Sequence, residues 1–184
     1  MRVIPAALVA VTLAAALAAA GCGHNGPATD GPLRGGPFSG ISGGADCQVT
    51  RVGQAVTFGE ERFINHGHTT LFLDRVGLRR PRGLRLLGSY ALPGVWVVGE
   101  VFGWPPKGSP LPPTWKDRRP VHGFRLAAGK TVNIGVGVVA TTRPLARTSG
   151  MAIRYHDPAG SYVLNDHFAL AIAGSNRQCD RLPQ

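Results

Sequence analysis

From Cys47 onward the chain repeats one pattern: short runs of β-branched, aromatic and leucine residues, each closed by Gly, Pro, Asn or Asp. "CQVTRV" opens, and "AVTFGEERFIN", "TLFLDRVGL", "LRLLGSYAL", "VWVVGEVF", "FRLAA", "TVNIGVGVVATT", "MAIRY", "SYVLN" and "HFALAIAG" follow in order. Successive strand residues point to opposite faces, so "TLFLDRVGL" is expected to set Leu71, Leu73 and Arg75 against Phe72, Asp74 and Val76. "NHGHT", "RRPRG", Pro93-Gly94, Gly129-Lys130 and "HDPAG" supply the turns, the last as a hairpin. Trp96, inside an apolar run, reads as a core residue. No amphipathic helical window of useful length follows residue 22. The pattern predicts an all-β sandwich of about eight antiparallel strands.

Two stretches break the rhythm. Residues 103–120, "GWPPKGSPLPPTWKDRRP", hold six prolines between and beyond Trp104 and Trp115, and read as a long exposed loop, partly polyproline-like. Residues 23–46 are rich in Gly and Pro and poor in core-forming side chains. They are expected to form a disordered tether with a mean span of roughly 25–30 Å. The chain thus divides into residues 1–21, a tether at 22–46 and a sandwich at 47–184.

The first 22 residues carry a different signal. Met1-Arg2 is a short positive start, residues 3–20 are uncharged and apolar, and Ala19-Ala20-Gly21 precedes Cys22. Small residues before the break suit the narrow site of a signal peptidase. Ala-Ala-Gly-Cys resembles the lipobox of bacterial lipoproteins. That resemblance implies a helical signal peptide at 1–21, a diacylated (palmitate-type) Cys22, and a mature protein on the outer face of the cytoplasmic membrane. Two acyl chains of roughly fifteen methylenes, at about 0.8 kcal/mol per methylene, make such an anchor permanent. In that oxidising location Cys47 and Cys179 remain as an even pair, expected to form a disulfide. A bridge closing so long a loop contributes about 5 kcal/mol at most in the chain-entropy model.

The part after Cys47 resembles the immunoglobulin-like domains of uncharacterised actinobacterial extracytoplasmic lipoproteins. The resemblance rests on "FIN-HG" before a Leu/Val strand, "PRGLRLLGSYALP", "LAAGKTVNIGVGVV" and "IRYHDPAGSYVL", and covers roughly residues 47–179. It implies a fold and supplies no activity. The cysteines sit at the two ends of the domain and not on facing central strands around a Trp, as in antibody-type domains.

The formal net charge of +10 favours anionic partners. The excess is concentrated in "RRPRGLR", with Arg79, Arg80, Arg82 and Arg85, and in "KDRRP", with Lys116, Arg118 and Arg119. If their loops share one end of the sandwich, these arginines with Trp104 and Trp115 form a face for an envelope protein or an anionic cell-wall polymer. Nucleic acid is excluded by the compartment.

Catalytic signals are weak. Gly40-Ile41-Ser42-Gly43-Gly44 spells a nucleophile elbow but lies in the tether, away from any strand-to-helix turn. The acid–imidazole neighbours Tyr155-His156-Asp157 and Asn165-Asp166-His167 diverge on a strand, as does Glu60-Glu61. No enzyme and no cofactor is expected. The alternative to a binding or assembly module is a copper or zinc protein, with His66 and His68 flanking Gly67 as two ligands and His122, His156 or His167 as a third.

Overall fold

The computed structural model describes residues 27–35, 45–59, 61–106 and 111–182. The leader, Cys22, the Gly40–Gly44 motif and Glu60 lie outside the described residues. The described chain is all-β. Its strands are β1 Leu33–Gly35, β2 Ala45–Val49, β3 Ala55–Gly59, β4 Arg62–Asn65, β5 Leu71–Leu78, β6 Leu84–Pro93 and β7 Gly99–Phe102. A 3-10 turn at Pro113–Asp117 precedes β8 Arg119–Pro120, β9 Phe124–Leu126, β10 Thr131–Ala140 and β11 Leu145–Thr148. The chain ends with β12 Met151–Asp157, β13 Gly160–Asn165, β14 Ala169–Ala173 and a one-turn helix α1 Asn176–Cys179.

The strands form a sandwich. The larger sheet is organised on β10, which pairs antiparallel with β4 and β3 along one edge and with β6 along the other. β1, β7 and β8 extend it through β4, β3 and β6 respectively. The facing sheet runs β13-β12-β5-β9, and a third, smaller sheet runs β11-β14-β2. Alternation on β10 sends Val132, Ile134, Val136 and Val138 inward, where they meet Phe63, Leu71, Leu73, Ile153, Tyr155 and Leu170 in one core. The "HDPAG" turn forms the expected hairpin, with the Asp157 carboxylate accepting from the Ala159 and Gly160 amides at 2.8 and 3.1 Å.

Several expectations are corrected. Residues 27–35, assigned to the tether, belong to the fold: β1 pairs with β4, and Leu33 is fully buried. Leu33, whose amide also donates to the Tyr155 hydroxyl (3.2 Å), and the Ala28–Tyr162 bridge together dock this Gly/Pro-rich segment. On β5 it is Val76, not Arg75, that joins Leu71 and Leu73 in the core, because the β12–β5 register shifts between Arg154 and Tyr155. A bulge of this kind moves every later side chain to the other face. Trp96 is not a core residue. Gly94 takes a φ of 93°, the chain leaves β6, Val98 takes the buried position, and Trp96 stays 56% exposed. The strands are not all antiparallel either, since β2 runs parallel to β14.

The disulfide is present. Cys47 on β2 is bonded to Cys179, with their Cα atoms 5.6 Å apart. Cys179 sits on α1, just past the last strand and not on it.

Candidate functional site: an aromatic groove edged by cations

The outer face of the large sheet carries a second apolar cluster. Tyr90 and Leu92 point outward from β6, opposite to Ala91, and pack with Val98, Val101, Trp104, Leu111 and Trp115. Two aromatic rings lie flat on this face because the backbone beneath them lacks side chains. A Cβ added at Gly135 would stand 2.0 Å from Tyr90 Cζ, and one at Gly59 would stand 2.3 Å from its hydroxyl oxygen. One at Gly137 would stand 2.1 Å from Trp104 Cδ2, and one at Gly88 would stand 2.7 Å from Trp104 Cζ2. Four glycines on three adjacent strands thus make a floor for Tyr90 and Trp104, whose planes differ by 17°. Trp115 packs edge-on over Tyr90 at 88°, with centroids 4.8 Å apart. Burial pushes the Tyr90 phenol far above its ordinary pKa, so it stays neutral.

Residues 103–106 and 111–120 carry more structure than a long polyproline-like loop, while residues 116–120 are exposed as expected. The loop is tied down at its start, where the Gly103 amide donates to Ala55 O (2.8 Å) and Thr57 Oγ1 donates to Gly103 O (2.6 Å). The 3-10 turn Pro113–Asp117 and β8, paired with Tyr90 and Ala91, bring it back over β6. A groove of about 490 Å³ lies between Trp104, Pro105, Trp115 and the β6 surface, edged by Lys116, Arg118 and Arg119. The Arg118 guanidinium sits 4.4 Å above the Trp115 ring and donates to Trp115 O at 3.0 Å. A cation over an aromatic face is held in place while its outer edge stays open to an anion.

Of the seven residues singled out for binding, Trp104, Trp115, Arg118 and Arg119 come together here. Arg79, Arg80 and Arg82 do not. They precede β6, whereas Arg119 pairs beside Ala91 near its far end. At about 3.3 Å per residue the two clusters stand more than ~20 Å apart. The single basic face is therefore split in two. Arg79 is occupied internally, donating to Asp166 O at 2.8 Å and contacting His167 Nδ1 at 3.2 Å. Arg80 and Arg82 instead meet Arg147 around a smaller groove of about 260 Å³. Arg147 was not singled out, because only the Arg82–Arg147 bridge between distant strands brings it there. Tyr90 was missed for the same reason: the glycines beneath it lie on other strands.

His66 and His68 are exposed on their turn, and among the described residues no group of three or more His, Cys, Asp or Glu side chains is placed to hold a metal ion. His156 bonds instead to Asp74 (2.9 Å) and stacks on Phe72, and His122 approaches Asp74 O. Among the described residues no helix is long and apolar enough to cross a membrane.

Fold and groove together define a β-sandwich domain with an aromatic, cation-edged surface site. No family model matches the chain, and neither does any curated protein. Among solved structures the chain is similar to the ASH/PapD-like domain (PapD-like domain 7) of human CEP192, at 13% identity and a TM-score of 0.39, over 93% of this chain and 98% of that one.

Proposed function

We propose that this chain is a non-catalytic, immunoglobulin-like binding module of the bacterial cell envelope, held at the outer face of the cytoplasmic membrane by acyl chains on Cys22. Its site is the groove of Tyr90, Trp104, Trp115, Lys116, Arg118 and Arg119, and its ligand is an anionic cell-wall polymer or an envelope protein presenting equivalent charge. The observation that carries this reading is the Trp115–Arg118 pair packed against Tyr90, which with Trp104 lies on a glycine floor. Flat rings offer stacking area, and three cations at the edge offer counter-charge. The Cys47–Cys179 bond suits an oxidising compartment, and the Ala-Ala-Gly-Cys motif suits lipidation.

The test is titration of the protein with a soluble phosphate-bearing glycan polymer and with neutral dextran. The charged polymer is expected to bind with salt-sensitive affinity, and Trp115→Ala and the pair Arg118→Ala with Arg119→Ala each to weaken it by about tenfold, near 1.4 kcal/mol. Equal binding by wild type and both variants refutes the assignment of the groove. Intact-mass analysis of the mature amino terminus tests the anchor.

A further inference from the structure

The loop from β6 to β7 holds three consecutive large apolar side chains in water: Val95 is 60% exposed, Trp96 56% and Val97 39%. Only five large hydrophobic residues among the described ones are so exposed, and these three are adjacent. The loop is held in shape and is not a loose end. The Gly94 amide donates to Thr131 O (3.0 Å), the Val98 amide donates to Gly59 O (2.9 Å), and Arg62 Nη1 donates to Val95 O (3.2 Å). Beside it runs a groove of about 700 Å³ lined by Val95, Phe124 and Leu126, into which Arg119, Arg125 and Lys130 bring positive charge against the one carboxylate of Asp117. An apolar tip carrying an indole, bordered by cations, is the arrangement that suits a bilayer interface: Trp prefers headgroup depth, and Lys and Arg prefer anionic lipid.

The position of the loop agrees. Chain entry at β1 pairs Leu33 with Asn65, whose backbone is bonded to Gly129 and Lys130, and Thr131 pairs beside Ile64 while Val132 pairs with Pro93. The entering chain and the Trp96 loop therefore sit at one end of the large sheet, about three strand spacings or ~15 Å apart. Cys22 lies only ten positions before Pro32, a reach of at most about 35 Å.

We infer that the Val95-Trp96-Val97 loop and the adjoining Arg119, Arg125 and Lys130 form a second membrane contact, inserting Trp96 at the surface of an anionic bilayer. This rests on the anchoring reading above and fixes how the domain stands on the membrane: the β6–β7 loop faces lipid.

The test uses the full chain in vesicles with brominated acyl chains, made of phosphatidylcholine alone or mixed with phosphatidylglycerol. Trp fluorescence is expected to be quenched in the anionic vesicles and the quenching lost in Trp96→Ala, a variant that removes an exposed side chain and leaves the fold intact. Arg125→Glu with Lys130→Glu is expected to lower the quenched fraction's apparent partitioning at least about tenfold. Quenching that survives Trp96→Ala, or Trp96 crosslinked to a second copy or another protein while unquenched by lipid, overturns the inference. Acyl mass on Cys22 is read from the same sample. A quenched chain without acyl mass removes the anchoring reading alone, and an acylated chain with unquenched Trp96 removes this one alone.

Discussion

Gly137 should tolerate no side chain while Trp104 is present. Its φ is not positive, so alanine suits the backbone, and the obstacle is the ring above it. The new Cβ would stand 2.1 Å from Trp104 Cδ2 and 2.2 Å from Cε3, far inside van der Waals contact. Since the sheet below is fixed by pairing on both edges of β10, the indole must lift off. Removing a fully buried Trp costs about 3–5 kcal/mol, and Trp104 is half-buried, so Gly137→Ala should cost about 2 kcal/mol. Urea denaturation followed by far-ultraviolet circular dichroism measures this. The decisive comparison is Gly137→Ala in a Trp104→Ala background. With the ring gone, the substitution should cost less than about 0.5 kcal/mol, a strongly non-additive pair. The groove should lose its floor with the ring, and polymer affinity should fall in step. A Gly137→Ala protein as stable as wild type, or equal costs in both backgrounds, refutes the glycine-floor argument.

Leu33→Ala should destabilise the domain by about 2–5 kcal/mol, which thermal or chemical unfolding reads directly; a negligible change would return residues 27–35 to the tether. Reduction, or Cys47→Ser with Cys179→Ser, should cost between about 2 and 5 kcal/mol for a separation of 132 residues, measured as the shift in denaturation midpoint at constant pH. Asp166 should make stability fall as pH rises: burial lifts its pKa from 3.8 to about 6, despite backbone amides of Phe168 and His167 that pull it down. The folded state then holds the proton over an interval where the unfolded state has released it. The stabilisation is full below about 3.8, lost by about 6, and amounts to no more than about 3 kcal/mol. Asp166→Asn should flatten that slope in denaturation curves taken across the interval, and an unchanged slope would remove Asp166 as its source.

The strand content was legible because alternation and turn chemistry are local. The "HDPAG" hairpin and the β5, β6 and β10 runs lie where their patterns put them. What escaped was everything set by pairing between distant segments. Trp96 and Val98 both belong to an apolar run, and only the turn at Gly94 decides which one is buried. The two arginine clusters meet β6 near its opposite ends, because Arg119 pairs beside Ala91, and no local pattern announces that pairing. The site was half legible: Trp104, Trp115, Arg118 and Arg119 share one segment, whereas Tyr90 and its glycines enter from β6, β10 and β3. A Gly-x-Gly inside an otherwise valine-rich strand was the available signal, since a strand interior gives up packing there only when something lies close above it.

The covalent bond between β2 and α1 has a mechanical consequence. It encloses residues 47–179 in a ring, and the chain's N-terminal arm attaches outside that ring. Tension arriving from the amino-terminal side first meets the three-residue β1–β4 pairing and the Ala28–Tyr162 bridge, and it ends at Cys47. Peeling residues 27–35 releases about 30 Å of contour and extracts Leu33, after which the load passes through Cys47 into the closed ring. Under such a load the arm yields over a fixed distance, while the residues between Cys47 and Cys179 cannot be drawn out past the disulfide.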